Sequence, residues 1–172
     1  MWAILVVVIL YLVGAHKTSS QIHKKFGLAG TSYELISTDL GKMKSHIRLS
    51  RYGVNGIPDA VFQGKKKKVI IVGEFKSRKH KKVVRLYEFY QLTLYLGHIQ
   101  ARYPDHAVKG LLAYADGVVA ISYDKDVYSG LLQLSKELRA ARASNKIPDS
   151  RPLHRRMKVS SQNRALTFST DK

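Results

Sequence analysis

The chain contains no cysteine, which removes disulfides, cysteine-held iron–sulfur clusters and cysteine-rich zinc sites at a stroke. It is also short of acid. Twelve aspartates and glutamates stand against 30 lysines and arginines, a formal net charge of +18 over 172 residues. No phosphate-cradling loop of the Walker type occurs, because the lysine run after Gly64 lacks that spacing. There is no internal repeat, no zinc finger and no recognition helix. The length is most simply one domain, large enough to bury a core without staples. A balance this basic points to a polyanionic partner, either nucleic acid or an anionic membrane surface.

The shortage of acid is sharpest between Asp59 and Glu88. That stretch holds one carboxylate, Glu74, among ten lysines and arginines. Glu74 stands in Gly73-Glu74-Phe75-Lys76, directly after the apolar run Val69-Ile70-Ile71-Val72. Upstream, Gly56-Ile57-Pro58-Asp59 precedes a second apolar stretch.

The N-terminus differs in character. Residues Met1 to Ala15 are apolar throughout, with Trp2 and Tyr11 placed like interfacial aromatics, and His16 and Lys17 begin the polar chain. The run is shorter than the roughly 20 residues of a full span. A cleaved signal would carry basic residues ahead of its apolar core, and none are present; Val13-Gly14-Ala15 is a passable cleavage site. The expectation is a membrane anchor over residues 1–15 with the body cytoplasmic, since positive charge lies on its C-terminal side. The alternatives are a signal segment, which would leave the body secreted or periplasmic, and a buried N-terminal helix.

Along the remainder, His16–Leu28 reads as a short helix with Ile22 and Phe26 on one side. Tyr33–Ser37 and the alternating Ser45–Tyr52 read as strands, with a turn at Gly53, Asn55 and Gly56. Ala60–Gln63 and Val69–Phe75 form a hairpin tipped by Lys65–Lys68. Lys82–Tyr103 is the longest predicted helix, closed by Pro104. Val108–Ala115 and Val118–Tyr123 form a strand pair turning at Asp116-Gly117, and Val127–Ala143 an amphipathic helix. From residue 145 to 172 the chain is basic and aperiodic, predicted to be a mobile tail. The order is α/β, with a central mixed sheet flanked by helices in a body spanning residues 16–144.

Successive strand residues face opposite sides, so Glu74 and Lys76 share a face and Phe75 points away. Asp59 opens a strand able to pair with Val69–Phe75. Two carboxylates converging from adjacent strands suit Mg²⁺ or Mn²⁺ together with phosphate oxygens. The ion would lower the pKa of a water and polarise the phosphoryl group, and Lys76 would orient that water or offset developing charge. Taken singly, these pieces read equally well as a surface ion pair and a turn. In the following helix, Gln91 and Tyr95 lie one turn apart on one face, offering an amide and a phenol.

Gly-Ile-Pro-Asp, an apolar strand, Glu-x-Lys and a Gln-x-x-x-Tyr helix together resemble the PD-(D/E)XK nuclease superfamily, and within it the RecB-type branch that includes the exonucleases of CRISPR spacer acquisition. The resemblance covers roughly His16 to Tyr123. It implies a restriction-endonuclease-like core and a metal-dependent nuclease, with Asp59 and Glu74 as metal ligands, the Phe75 backbone carbonyl completing the shell and Lys76 as the catalytic lysine. Gln91 and Tyr95 match the helix motif of the branch. The branch often adds a His or Glu ligand from its first helix, for which His23 is placed better than His16 or Glu34. The four cysteines of the cluster-bearing members and the helicase modules of larger relatives are absent. The cations Lys65, Lys66, Lys67, Lys68, Lys79, Lys81, Lys82 and Arg85 are expected to follow a nucleic-acid backbone, most simply that of DNA. Two other readings stand beside this one: an inactive, membrane-tethered nucleic-acid-binding domain of the same fold, and a device for anionic membrane surfaces.

Overall fold

Alternation along the apolar strands sets the two sides of the molecule. In a computed structural model, described over residues 18–40, 46–146 and 149–170, Ile70 and Val72 join one core cluster and Ile71 joins the other. Five strands form the central sheet: β1 (Tyr33–Thr38), β4 (Ala60–Gly64), β5 (Val69–Phe75), β7 (Ala107–Tyr114) and β8 (Gly117–Ser122), in the order β1-β4-β5-β7-β8. All neighbours are antiparallel except β5 and β7, which are parallel. A parallel pair needs a crossover, and helix α2 (Leu86–Arg102) supplies it. Helix α1 (residues 18–25) covers one face, where Ile22 and Phe26 pack on Ala60, Phe62 and Ile71. Helix α2 and helix α3 (Lys125–Ser144) cover the other. The fold is therefore α/β, a mixed sheet between helices.

Asp124 caps α3, its side chain accepting from Val127 N–H. Between β1 and β4, a hairpin of β2 (Leu49–Arg51) and β3 (Val54–Gly56) forms a small sheet of its own. Tyr52 and Gly53 both take positive φ at its tip, 55° and 73°, as a two-residue type I′ turn requires. Asn55 and Gly56 thus lie in a strand and not in the predicted turn, and the expected strand from Ser45 is confined to Leu49–Arg51 within the described residues.

The predicted helix from Lys82 begins four residues later. Lys81 and Lys82 are left-handed, with φ of 50° and 63°, and β6 (Val84–Arg85) pairs in parallel with β9 (Phe168–Ser169). That pairing corrects the expected mobile tail. Met157, Val159, Leu166 and Phe168 pack on the larger core cluster, and the Phe168 ring meets Phe89 edge-on. Between these, residues Leu153–Arg156 form a short helix, α4. Asn163, 1% exposed, donates to Ser122 O and accepts from Ser122 N–H, both at 3.0 Å. Asp124 accepts from Ser160 N–H with its second oxygen. The segment gave no periodic signal because it is held by individual contacts and not by an amphipathic face. Asn163→Ala removes the partner of two backbone groups; an unsatisfied buried group costs about 1–3 kcal/mol. A loss of about 2 kcal/mol is expected in urea unfolding, with unfolding remaining a single transition.

The apolar run of residues 1–15, with the anchor and signal expectations attached to it, lies outside the described residues. Among the described residues, no helix is long and apolar enough to cross a membrane.

Candidate active site

The register of β4 on β5 places the two acids. Ala60 pairs with Gly73 and Val61 with Val72, so one step further Asp59 stands opposite Glu74. Both then fall on the α2 side of the sheet, in line with Val61 and Val72. The Asp59 backbone is held from β1: its carbonyl accepts from the Thr38 hydroxyl and from Asp39 N–H, each at 3.0 Å. Its carboxylate Oδ2 accepts from Phe75 N–H at 2.7 Å. In extended backbone the N–H and C=O of one residue point to the same edge, so the Phe75 carbonyl shares the edge that faces Asp59. The Phe75 side chain points to the opposite face, where Lys25 Nζ lies 3.5 Å from its ring centroid.

Glu74 is 5% exposed. Its Oε1 accepts from Lys76 Nζ at 3.0 Å and from Gln91 Nε2 at 2.8 Å. Gln91 Oε1 accepts from the same ammonium at 3.0 Å, which closes a ring of three side chains. Glutamine suits this place because one end of it accepts from the lysine while the other donates to the carboxylate. Gln91 Nε2 also donates to Tyr95 Oη at 3.2 Å. The second Glu74 oxygen, Oε2, is buried with no hydrogen-bond partner. A bare carboxylate oxygen away from water is the costliest kind of orphan.

Electrostatics follow the same geometry. Burial pushes the Asp59 carboxyl above its ordinary value, against the Phe75 N–H and Lys76, which pull it down. Burial, and then the charge of Asp59, push Glu74 up, with Lys76 opposing. Burial likewise raises Tyr95. Two acids that resist ionisation side by side are a poor design for stability and a good one for a cation.

Tyr95 is seated by the Gly56 of the Gly-Ile-Pro-Asp motif: a Cβ built there would lie 2.3 Å from the Tyr95 ring. His98, one turn further along α2, has Nε2 3.1 Å from Val54 O. Strand β3 is thereby clamped to α2 just before the chain delivers Asp59. Gly56→Ala is expected to displace Tyr95 and cost about 1–3 kcal/mol through overpacking. Thermal unfolding checks the cost, and a change in tyrosine fluorescence checks the displacement.

The structure does not assemble every expected residue. His23 is buried with both ring nitrogens turned to backbone carbonyls, Nδ1 to Ser19 O at 2.8 Å and Nε2 to Tyr33 O at 3.0 Å. A ring nitrogen that donates its N–H to a carbonyl has no lone pair to offer a metal, and Tyr33 pairs with Gly64 at the far end of the hairpin. Lys25 is the α1 residue whose charge reaches Asp59. The run Lys65–Lys68 is exposed at the hairpin tip. Six residues separate Lys65 from Asp59, about 20 Å at strand rise, so the tip is remote from the acids and not adjacent. Lys79, Lys81, Lys82 and Arg85 do follow the C-terminal end of β5, the end that carries Glu74, and the first three are exposed.

Two features had no signal in the sequence. Asp39, at the end of β1, adds negative charge that raises Asp59; its position became visible only with the pairing of β1 and β4. Glu88, fully buried, receives Arg78 in two-point contact at 3.0 and 2.6 Å and the Tyr114 hydroxyl at 2.7 Å. This network ties the first turn of α2 to the strands and so sets where Gln91 falls.

No family model matches the chain, and no curated protein matches it. Among solved structures the chain is similar to the crystal structure of SSO0001, with 22% identity and a TM-score of 0.40. The alignment covers 78% of this chain and 58% of that one, so this chain spans less than two thirds of the length of that structure. A likeness this distant carries no argument about function, and the chemistry rests on the residues themselves.

Among the described residues, no three histidines, aspartates or glutamates cluster tightly enough to form a metal site of their own. Asp59 and Glu74 make a pair. A pair of carboxylates with a carbonyl is a donor set for a hard divalent cation that keeps waters and takes phosphate oxygens. The orphaned Glu74 Oε2 and the raised pKa values of both acids fit such an ion.

Proposed function

We propose that this protein is a divalent-metal-dependent nuclease that hydrolyses phosphodiester bonds, in DNA, on a restriction-endonuclease-like core of the RecB type. The observation that carries the reading is the buried, partnerless Oε2 of Glu74, with its other oxygen held by Lys76 and Gln91 and with Asp59 opposite. Asp59, Glu74 and the Phe75 carbonyl would hold Mg²⁺ or Mn²⁺, which when bound polarises a phosphate and acidifies a water. The chain's own groups do the rest. Lys76 presents an ammonium fixed at two points, able to offset charge that grows on a phosphate oxygen. Gln91 holds both the carboxylate and the lysine in register, and Tyr95 supports Gln91 from behind. Lys79, Lys81, Lys82 and Arg85 supply attraction for a strand entering at the C-terminal end of β5.

The direct test incubates the protein with circular and linear, single- and double-stranded DNA. Cutting is expected with Mn²⁺ or Mg²⁺ and none with EDTA. Salt-sensitive binding without cutting under any divalent ion would leave a nucleic-acid-binding domain and remove the enzyme.

A pH dependence follows from the two acids. Their folded pKa values lie above the ordinary ones, so the neutral forms favour folding; that contribution is present at low pH and is lost as pH rises through the raised values. Ion binding needs both acids ionised. Cutting should therefore rise with pH just above the ordinary carboxylate range. Mn²⁺ should raise the melting temperature more at pH 8 than at pH 5, and Glu74→Gln should abolish that gain. An ion-induced shift of equal size in Glu74→Gln would place the ion elsewhere.

A further inference from the structure

Beside the acid pair lies a cleft of about 370 Å³ that the proposed hydrolysis does not use. Tyr87, Tyr90 and Leu94 of α2 form one wall, and Leu131 and Leu153 close the other side. Gln91 and Tyr95 line the cleft as well as the acid site, so whatever fills it lies within one side chain of Glu74. Its walls are aromatic and aliphatic, a surface no phosphate would prefer. Its rim carries a cation: Arg85 Nη1 donates to the Tyr87 hydroxyl at 3.3 Å. Tyr87 is 46% exposed, so its ring is open to an occupant from solvent.

An occupant must bring a flat apolar face and, attached to it, an anionic chain that leads to the acids. We propose that the cleft receives an unpaired nucleobase of the substrate strand, stacked on Tyr87, while the neighbouring phosphate lies at Asp59 and Glu74. Bases inside a duplex are already stacked and cannot enter. The substrate is then a single strand, or a duplex with an unpaired segment at the point of cutting. Aromatic stacking tolerates any base, so the cleft selects for strandedness and not for sequence. This rests on the nuclease reading for its geometry, yet it can be tested without cutting.

The full chain, in EDTA, is titrated with a single-stranded oligonucleotide carrying the fluorescent base 2-aminopurine and with a blunt duplex of the same sequence. The single strand is expected to bind with quenching of the base. Tyr87→Ala should weaken single-strand binding about tenfold and remove the quenching, with duplex binding unchanged; Tyr87→Phe should retain both. Leu131→Glu, which puts charge into the cleft from α3, should repeat the Tyr87→Ala result. Lys82→Ala should weaken both substrates alike and leave the quenching of the bound strand intact. Tyr87→Ala binding and quenching as wild type does would overturn the base cleft, and if Mn²⁺-dependent cutting persists the nuclease reading survives that loss. Tyr87-dependent quenching in a protein that cuts nothing would uphold the cleft and sink the nuclease reading instead.

Discussion

Lys76→Met is expected to reduce Mn²⁺-dependent cutting of DNA by about 10²–10³-fold, the cost of removing one preorganised charged donor. The methionine keeps the unbranched stem, one atom shorter, and loses the ammonium that now sits 3.0 Å from both Glu74 Oε1 and Gln91 Oε1. Lys76 is also one of the groups that hold the Glu74 carboxyl down against burial. Without it Glu74 rises further, so whatever cutting remains should need a higher pH than in the wild type. Glu74→Gln should remove cutting as completely while leaving the protein folded, since glutamine still accepts from Lys76 and no longer repels Asp59. Single-turnover rates across a pH series, with circular dichroism as the control for folding, separate these effects. Wild-type rates in either variant would refute the assignment of the site.

Arg78→Ala is expected to cost about 3 kcal/mol of stability. Breaking a buried ion pair from one side costs about 3–5 kcal/mol because the remaining charge is stranded. The lower end applies here: the Arg78 side chain keeps 24% of its exposure, and Tyr114 still donates to Glu88. The loss is pH-dependent. Burial alone would raise the Glu88 carboxyl, but the Arg78 and Tyr114 hydrogen bonds and the Arg78 charge outweigh it and hold it below its ordinary value. A depressed carboxyl stabilises the fold above its unfolded pKa, and that contribution fades as pH falls through the folded value. The wild type should therefore lose more stability than Arg78→Ala between neutral pH and strong acid, and the two curves should converge. Replacing all three groups with apolar ones, Arg78→Met, Glu88→Leu and Tyr114→Phe, should restore much of the loss, because no buried donor is then left without an acceptor. Urea titrations at several pH values measure all three proteins. A constant gap between the curves would mean that Arg78 acts through packing alone.

How far the chain could be read without coordinates depends on the range of the interaction. Period-two alternation put Glu74 and Lys76 on one face, and a four-residue step put Gln91 and Tyr95 on another, because strand and helix geometry repeat over a few residues. The pairing of Ala60 with Gly73 then made Asp59 the neighbour of Glu74, a one-residue extension of a hairpin already expected. Arg78, Glu88 and Tyr114 left no such trace: their meeting joins a loop, a helix and a strand that local periodicity does not relate. Asp39 came to Asp59 through the pairing of β1 with β4, a register that no local pattern specifies.

Charge runs and the C-terminal segment show the same boundary from the other side. Lys65–Lys68 stood close to Glu74 in sequence, but a strand carries its residues away at about 3.4 Å each, so nearness along the chain became distance in space. Residues 149–170 looked featureless because Asn163, Ser160 and Phe168 act one at a time, each on a different element. Composition and local period were enough to establish an α/β chain with a basic body and the acids, lysine and glutamine of one candidate site. Which cations flank that site, what buttresses the helix above it and whether the last residues are folded depended on packing between distant segments. Those contacts are chosen by shape and by the satisfaction of buried polar groups, and neither is written in any short stretch of sequence.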